Sequence, residues 1–298
     1  MNILITGALG YIGCELLYRL LLNPSNTIYA VDNDVSSIKQ RLGGFLRYQN
    51  LNFINADITS SQAVKQLPKV DFIVHLAAVV GYVTCNDNKQ AAFEINVQGT
   101  QLIADLNAPI IFLSTGSVYG EIGDTCDETV HLNPKSYYAE TKILGEEIIR
   151  PYNHVILRPS TAYGLSFKIR HDLLAHTLAL AAIETKQIDL YQPYALRSFY
   201  SVQKIAELLE YIIFNFNKFK GITLNVGCES GNVRKIDLAN TIANLTGAKI
   251  LNCDGHDLDS RDYNVNFQRL KSRWPLYQES FESQIKSIVE YYKTWVKY

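Results

Sequence analysis

Residues 136–142 read S-Y-Y-A-E-T-K. Tyr138 and Lys142 stand four apart, so on a helix they share one face, whereas Tyr137 cannot lie on the face of Tyr138. A free phenol has a pKa of about 10 and is a poor base at neutral pH. A nearby ammonium favours the phenolate and lowers that value. The pair is therefore suited to moving a proton on or off a hydroxyl group. Thr115 ends the apolar run PIIFLST at 109–115 and is followed by Gly116 and Ser117. Its hydroxyl can hydrogen-bond the same reacting oxygen. Thr115, Tyr138 and Lys142 are the candidate catalytic residues.

A second constellation lies near the start of the chain. Residues 6–13 read T-G-A-L-G-Y-I-G, with Gly7, Gly10 and Gly13 each three apart between an apolar run and a helical pattern. Glycines at this spacing permit a tight turn and a close approach of backbone to phosphate, and the last lets helix and strand pack closely. The free N–H groups and positive dipole end of the following helix suit a pyrophosphate. Gly7, Gly10, Tyr11, Ile12 and Gly13 are thus expected to bind a dinucleotide. Asp32 ends the next apolar run. A carboxylate there accepts ribose hydroxyls and repels a 2′-phosphate, which favours NAD over NADP. Asn33 and Asp34 adjoin it and could share the contact. Asp57 ends the third run and is a candidate adenine partner; its alternative role is a helix N-cap, which Thr59 or Ser60 could fill instead.

These residues need a scaffold, and its rhythm is legible. Strand-like runs at 2–6, 27–32, 51–57, 71–78, 109–115 and 154–160 alternate with helical segments, of which the later ones are 86–106 and 136–150. Near-continuous apolar strands separated by helices imply a parallel sheet covered on both faces. The expected fold class is α/β, a doubly wound parallel (Rossmann) sheet with a smaller mixed α/β substrate-binding cap. After residue 164 the rhythm changes. Helices are expected at 171–185, 203–215, 233–246 and 280–296, a proline-containing loop at 192–198, and a core strand at 223–227. Residues 1–164 would form the cofactor-binding unit, with 199–227 threading back into it, and 165–298 would be mainly cap. There is no internal repeat or low-complexity tract.

Composition excludes other classes. With 298 residues and 47% hydrophobic content the chain can bury a large core. The 28 basic and 29 acidic residues leave a net charge of -1, which calls for neither nucleic acid nor a membrane surface. Five cysteines with no C-x-x-C pair argue against a disulfide framework or zinc site and fit a reduced, cytoplasmic setting. The opening residues lack the marks of a signal peptide, and no apolar stretch reaches the roughly 18 residues of a membrane span. His75, His131, His171, His176 and His256 show no metal-ligand spacing and are read as structural. Cys85 reads as a small buried hydrophobe.

The strings TGALGYIG, VDND, ADI, HLAA, INVQGT, STGSVYG, YYAETK, LRPSTAYG and RSFYSV, in this order, resemble the extended short-chain dehydrogenases/reductases of the nucleotide-sugar epimerase/dehydratase kind. The resemblance implies that Tyr138 takes a sugar hydroxyl proton while hydride passes to NAD, that Lys142 also holds the cofactor's ribose, and that Thr115 binds the reacting oxygen. It adds Ile58, Leu76, Ala77, Ala78, Asn96 and Pro159 as cofactor contacts, and Val80, Gly116, Ser117 and Thr161 as substrate contacts. The substrate would be a nucleoside-diphosphate sugar. Arg197 and Arg261 are the foremost candidates for its diphosphate, because guanidinium binds phosphate in a forked geometry; Arg170 and Lys168 are secondary. Helices 86–106 and 136–150 would pair across a two-fold axis in a homodimer.

Gly116 and Ser117 bear on the reaction. Dehydratases of this kind resemble T-D-E after the strand, because elimination needs an acid and a base. Fucose-synthase-like reductases carry a cysteine after the serine and prefer NADP. What remains is oxidation at the sugar C4, transient in a 4-epimerase or net in a 4-dehydrogenase. Thr161 and Gln203 replace the Asn and Asp frequent in the family. The segment AAVVGYVTC at 77–85 resembles a branch with V-G-x-P-x-C that includes GDP-heptose 4-dehydrogenases, with Val83 in place of the proline; FKIRHD and DSRDY fit the same branch. Two other readings stay open: a catalytically silent NAD- or nucleotide-binding protein, and a non-sugar short-chain oxidoreductase with an apolar cleft and no phosphate-binding arginines.

Overall fold

The N-terminal strand is buried from its second residue onward because Ile3, Leu4 and Ile5 are flanked by sheet on both edges and by helices on both faces. The computed structural model describes residues 1–33, 42–254 and 262–295. Its strands in chain order are β1 (Asn2–Thr6), β2 (Thr27–Asp32), β3 (Leu51–Asn55), β4 (Phe72–His75), β5 (Ile110–Leu113), β6 (Glu121–Cys126), β7 (His154–Pro159), β8 (Thr161–Tyr163), β9 (Gln187–Tyr191), β10 (Leu196–Ser201), β11 (Ile222–Val226), β12 (Asn232–Arg234), β13 (Lys249–Cys253) and β14 (Asp262–Val265).

Among the described residues the main sheet has seven strands in the order β11-β7-β5-β4-β1-β2-β3. Every neighbouring pair in it is parallel. The order reverses between β1 and β4, and a ligand crevice forms outside the carboxyl ends of the strands at such a switch point. The glycine turn follows β1, and the segments containing Ala77, Thr115 and Pro159 end β4, β5 and β7. One fold rule thus gathers residues far apart in the chain.

Each face of the sheet has its own core. Leu16, Leu17 and Leu20 of the helix Tyr11–Leu21 pack with Leu208, Leu209 and Ile212 of the helix Val202–Phe214. Arg19 adds an ion pair to Glu210 at 2.8 Å. On the opposite face, Ile103 and Ile149 pack with Leu4, Ile73 and Phe112. A third cluster lies in the cap, where Ala175, Leu178 and Ala182 of the helix Leu174–Glu184 meet Ile285, Ile288 and Val289 of the helix Phe281–Trp295.

Local chemistry explains most boundaries. Ser60, Ser136 and Ser201 each cap a helix by accepting from the backbone N–H three residues on. The single helix expected at 86–106 starts earlier and is broken. Tyr82–Asp87 is one piece; Asn88 then caps Lys89–Phe93, which runs through the π-helical Glu94–Gly99 into Thr100–Ala104. The loop expected at 192–198 is a strand from Leu196 on. Its buried side chains include Arg197, Ser198 and Ser201, so no apolar run marks it. β9 alternates exposed and buried residues, with Ile188 and Leu190 inward, and among the described residues pairs only with β13.

The cap is tied to the glycine turn at Gly164. Its carbonyl accepts from Tyr11 Oη at 2.5 Å and from His176 Nε2 at 3.0 Å. With Nε2 protonated, His176 Nδ1 accepts from Tyr292 Oη at 3.1 Å, and His171 Nδ1 then donates to the same oxygen at 2.8 Å. His171 and His176 converge on a tyrosine of the last helix, and the described residues contain no group of metal-ligating side chains. Burial pulls His176 down to about 4 from 6.5, so the unfolded chain binds its proton first as pH falls. Stability is therefore lost between about pH 6.5 and pH 4. Tyr292→Phe is expected to lower unfolding free energy by about 1–3 kcal/mol in urea titrations. His176→Gln should flatten the pH dependence of the urea midpoint across that window; an unchanged slope would show that another group controls it.

Candidate active site

A cavity of about 750 Å³ opens at the switch point. Its wall on the sheet side begins at the glycine turn. Gly7 has φ +67°, and a Cβ on it would lie 2.7 Å from the Ala77 nitrogen. A Cβ on Gly13 would lie 2.3 Å from the Gly7 oxygen. The turn and the end of β4 therefore touch backbone to backbone, with Gly10, Tyr11 and Ile12 on the same wall. Asp32 Oδ2 accepts from Leu9 N at 2.9 Å, which fixes the carboxylate against the turn at the cavity edge. Asn33 and Ile58 line the same end. Asp57 is exposed there and accepts from Thr59 N and Oγ1 at 2.8 and 2.7 Å, while Ser60 caps the next helix.

The wall after β4 is held by a buried polar chain. Thr100 donates to the Asn96 carbonyl at 2.7 Å and accepts from His75 Nε2 at 2.9 Å. His75 Nδ1 accepts from Thr6 Oγ1 at 2.6 Å, and Thr6 Oγ1 accepts from Ala77 N. Burial, reinforced by the Lys142 charge, pulls His75 down to about 3, so it stays neutral. Asn96 is fully buried and does not reach the cavity. Its Oδ1 accepts from Val79 N at 2.8 Å, and its Nδ2 donates to Val79 O and to Thr141 Oγ1. Asn96 therefore ties Leu76, Ala77, Ala78 and Val80, which do line the cavity, to the helix Tyr137–Ile149.

Tyr138 sits in the first turn of that helix and lines the cavity. Tyr137 faces away, its ring under Lys89 Nζ at 5.3 Å. Thr115 also lines the cavity, extended, with its Oγ1 accepting from Ser117 N and donating to Ser117 Oγ, both at 3.1 Å. Ser117 is on the wall; Gly116 is buried behind it. The shared helix face had placed Lys142 in the cleft beside Tyr138. Instead Lys142 lies one layer deeper, 3% exposed, with Nζ 4.1 Å from the centre of the Phe112 ring. The helix can approach that ring because Gly145 carries no Cβ, which would come within 2.6 Å of Phe112 Cζ. Burial pulls Lys142 down to about 7 from 10.5, against the upward pull of Glu146 and Cys85.

The cap supplies the opposite wall. Pro159 and Thr161 lie where β7 passes into β8. Arg197 is 4% exposed yet lines the cavity, donating Nη1 to the Leu196 carbonyl at 3.0 Å. Arg170 also lines it but is held by Asp172 through two bonds of 2.6 and 2.5 Å. Lys168 is on the wall. Arg261, His256 and Asp34 lie outside the described residues. Sequence reasoning missed Lys135, Ser160, Tyr82 and Asp172 as wall residues. Only Asp172 carried a signal, as an acid two residues from a candidate arginine.

The model of the NAD dependent epimerase/dehydratase family matches residues 3–227. The chain is 30% identical over 208 residues to the uncharacterized UDP-glucose epimerase YtcB of Bacillus subtilis (strain 168), covering 64% of this chain and 65% of that protein. It is 32% identical over 160 residues to the low-salt glycan biosynthesis protein Agl12 of Haloferax volcanii, covering 51% and 52%. It thus spans about half to two thirds of the length of these curated relatives. The crystal structure of UDP-glucuronic acid 4-epimerase from Bacillus cereus, with UDP-glucuronic acid and NAD, shares the fold at a TM-score of 0.89 and 23% identity, covering 99% of this chain and 100% of that one. Among the described residues no helix is long and apolar enough to cross a membrane.

The buried ammonium makes a stability test of the site available. Because Lys142 binds its proton less tightly folded than unfolded, the native state of the wild type is penalised below pH 10.5 and fully so below about pH 7. Lys142→Met is expected to raise unfolding free energy at pH 7 by about 1–2 kcal/mol. The gain should shrink as pH rises through that window, as followed by chemical denaturation at several pH values. A destabilised variant would mean that the ammonium is better paired than its surroundings indicate.

Proposed function

This chain belongs to the NAD dependent epimerase/dehydratase family, and from that premise we propose that it oxidises the C4 hydroxyl of a nucleoside-diphosphate sugar with NAD, transiently as a 4-epimerase or net as a 4-dehydrogenase. The observation that carries the reading is that Thr115 and Tyr138 line one cavity, with the Lys142 ammonium buried in the layer behind it. The glycine turn supports a dinucleotide, since its bare backbone faces the cavity and side chains at Gly7 or Gly13 would collide with neighbouring main chain. The Asp32 carboxylate at the edge fits ribose hydroxyls. Bound there, NAD supplies a hydride acceptor for the carbinol carbon.

The chain's own groups do the rest. Thr115 and Ser117 hydroxyls hold the sugar oxygen. The Tyr138 phenolate accepts its proton as the carbonyl forms and returns it when the carbonyl is reduced again. Lys142 favours the phenolate through its charge. Arg197, buried at the cavity wall, binds the diphosphate, where a guanidinium is worth more than in water. Arg170 would join it on leaving Asp172. The pair Gly116 and Ser117 supplies no carboxyl acid for elimination, which favours epimerisation or oxidation over dehydration. The UDP-sugar names of the similar proteins make UDP-sugars the first substrates to try.

The same reading assigns residues 1–164 with 199–227 to the cofactor unit and most of 165–298 to the cap, and places a homodimer interface on the helices around 82–104 and 137–149. It places the chain in carbohydrate biosynthesis in the cytoplasm. A panel of UDP-, GDP-, CDP- and dTDP-sugars, followed by NADH absorbance and NMR, should reveal C4 epimerisation or oxidation of at least one. NAD bound with no sugar turned over would overturn the proposal. Tyr138→Phe should cost about 10²-fold or more in kcat while NAD still binds. Arg197→Met should weaken binding of the free nucleoside diphosphate by about 2 kcal/mol in calorimetry; unchanged affinity would remove Arg197 from the diphosphate site.

A further inference from the structure

One helical turn beyond Lys142, Glu146 is 1% exposed and faces Arg158 of β7, itself 3% exposed. The pair is bidentate, with Arg158 Nη2 donating to Oε2 at 2.7 Å and Nε to Oε1 at 2.8 Å. Ser114, next to Thr115, donates to Oε1 at 2.6 Å, and Arg150 donates to Oε2 at 3.3 Å. Arg158 Nη1 reaches Tyr119 Oη at 3.1 Å, and that hydroxyl donates to Asn225 Oδ1 at 2.5 Å. Glu146 is therefore anchored from β5, from β7 and from its own helix. A buried ion pair of this kind is a poor device for stability, since apolar residues of similar volume often do as well or better. Its position next to Lys142 suggests another use.

The groups facing Lys142 are few. Its own helix brings Tyr138 one turn before and Glu146 one turn after. Phe112 comes from β5, and the field of Lys142 also reaches His75 on β4 and Cys85 on the helix Tyr82–Asp87. Burial keeps His75 neutral and pushes the Cys85 thiol up to about 11, so neither carries charge at pH 7. Among the described residues that leaves Glu146, in its bidentate pair with Arg158, as the acidic side chain one turn from the buried ammonium.

We propose that Glu146 is a positioning residue that keeps Lys142 protonated at neutral pH, so that the ammonium can hold the Tyr138 phenolate. The inference rests on the reading of Tyr138 and Lys142 as the proton-transfer pair. Lys142 titration can be followed without turnover, by NMR of protein carrying ε-13C-labelled lysine, with Lys142→Met assigning the signal. E146Q alone strands a buried guanidinium, so E146Q/R158M, which removes both charges, is the primary variant, and E146D tests rescue. The Lys142 midpoint should fall by about one pH unit in E146Q/R158M, and E146D should restore it. If turnover is found, the alkaline limb of kcat/KM should move down by the same amount. A folded E146Q/R158M with the wild-type Lys142 midpoint overturns the proposal, whatever its activity. A shifted midpoint in a protein that turns over no sugar upholds it while the functional reading fails.

Discussion

A single cation buried beneath a tyrosine governs how this site is built. Lys142 sits on the Phe112 ring with almost no access to water, and desolvation alone would strip its proton. A ring face repays part of that cost, because its quadrupole attracts a cation. Glu146, one turn on, pulls in the same direction, and its carboxylate is itself paired with Arg158 and Ser114. Each compensation recruits another element: β5 brings Phe112 and Ser114, β7 brings Arg158, and the Gly116–Tyr119 segment brings Tyr119.

The opposite half of the cleft obeys a different constraint. At the glycine turn the backbone approaches the end of β4 so closely that no side chain fits between them. Stiffness there comes from the neutral chain of Asn96, Thr100, His75 and Thr6, whose hydrogen-bond directions are mutually determined. Asn96 joins the two halves, since it grips Val79 on one side and Thr141 of the helix Tyr137–Ile149 on the other. The π-helical stretch Glu94–Gly99 that contains it lets one buried amide serve both.

Local patterns made the glycine-turn side of the cavity legible in the sequence. Strand, three glycines and helix are contiguous, and Asp32 ends the next strand, so each clue lies within one βαβ unit. The four-residue spacing of Tyr138 and Lys142 correctly put them on one helix. Spacing alone does not report depth, and Lys142 lies off the wall over the ring of Phe112, a residue 30 positions away in sequence with no helical relation to it. The cap strands were missed for the same kind of reason. β10 is buried through polar side chains that find partners only in the folded state, as Ser198 does with Ser160 at 2.7 Å. The Arg170–Asp172 pair was half visible as two charges, but its occupancy of the guanidinium depends on a loop conformation.

That loop is fastened to the glycine turn. Tyr11 belongs to the glycine turn, yet its hydroxyl bonds Gly164 and its carbonyl accepts from Ser166 Oγ at 2.7 Å. Phe167 rests on Tyr18 and Phe45, beside the same helix. Arg170 therefore projects from a segment whose footing is the dinucleotide turn itself. Gly164 holds φ +102° and Gln203 bonds the next carbonyl, so the chain reverses there at a fixed angle. In this conformation the two bonds to Asp172 occupy that arginine's guanidinium.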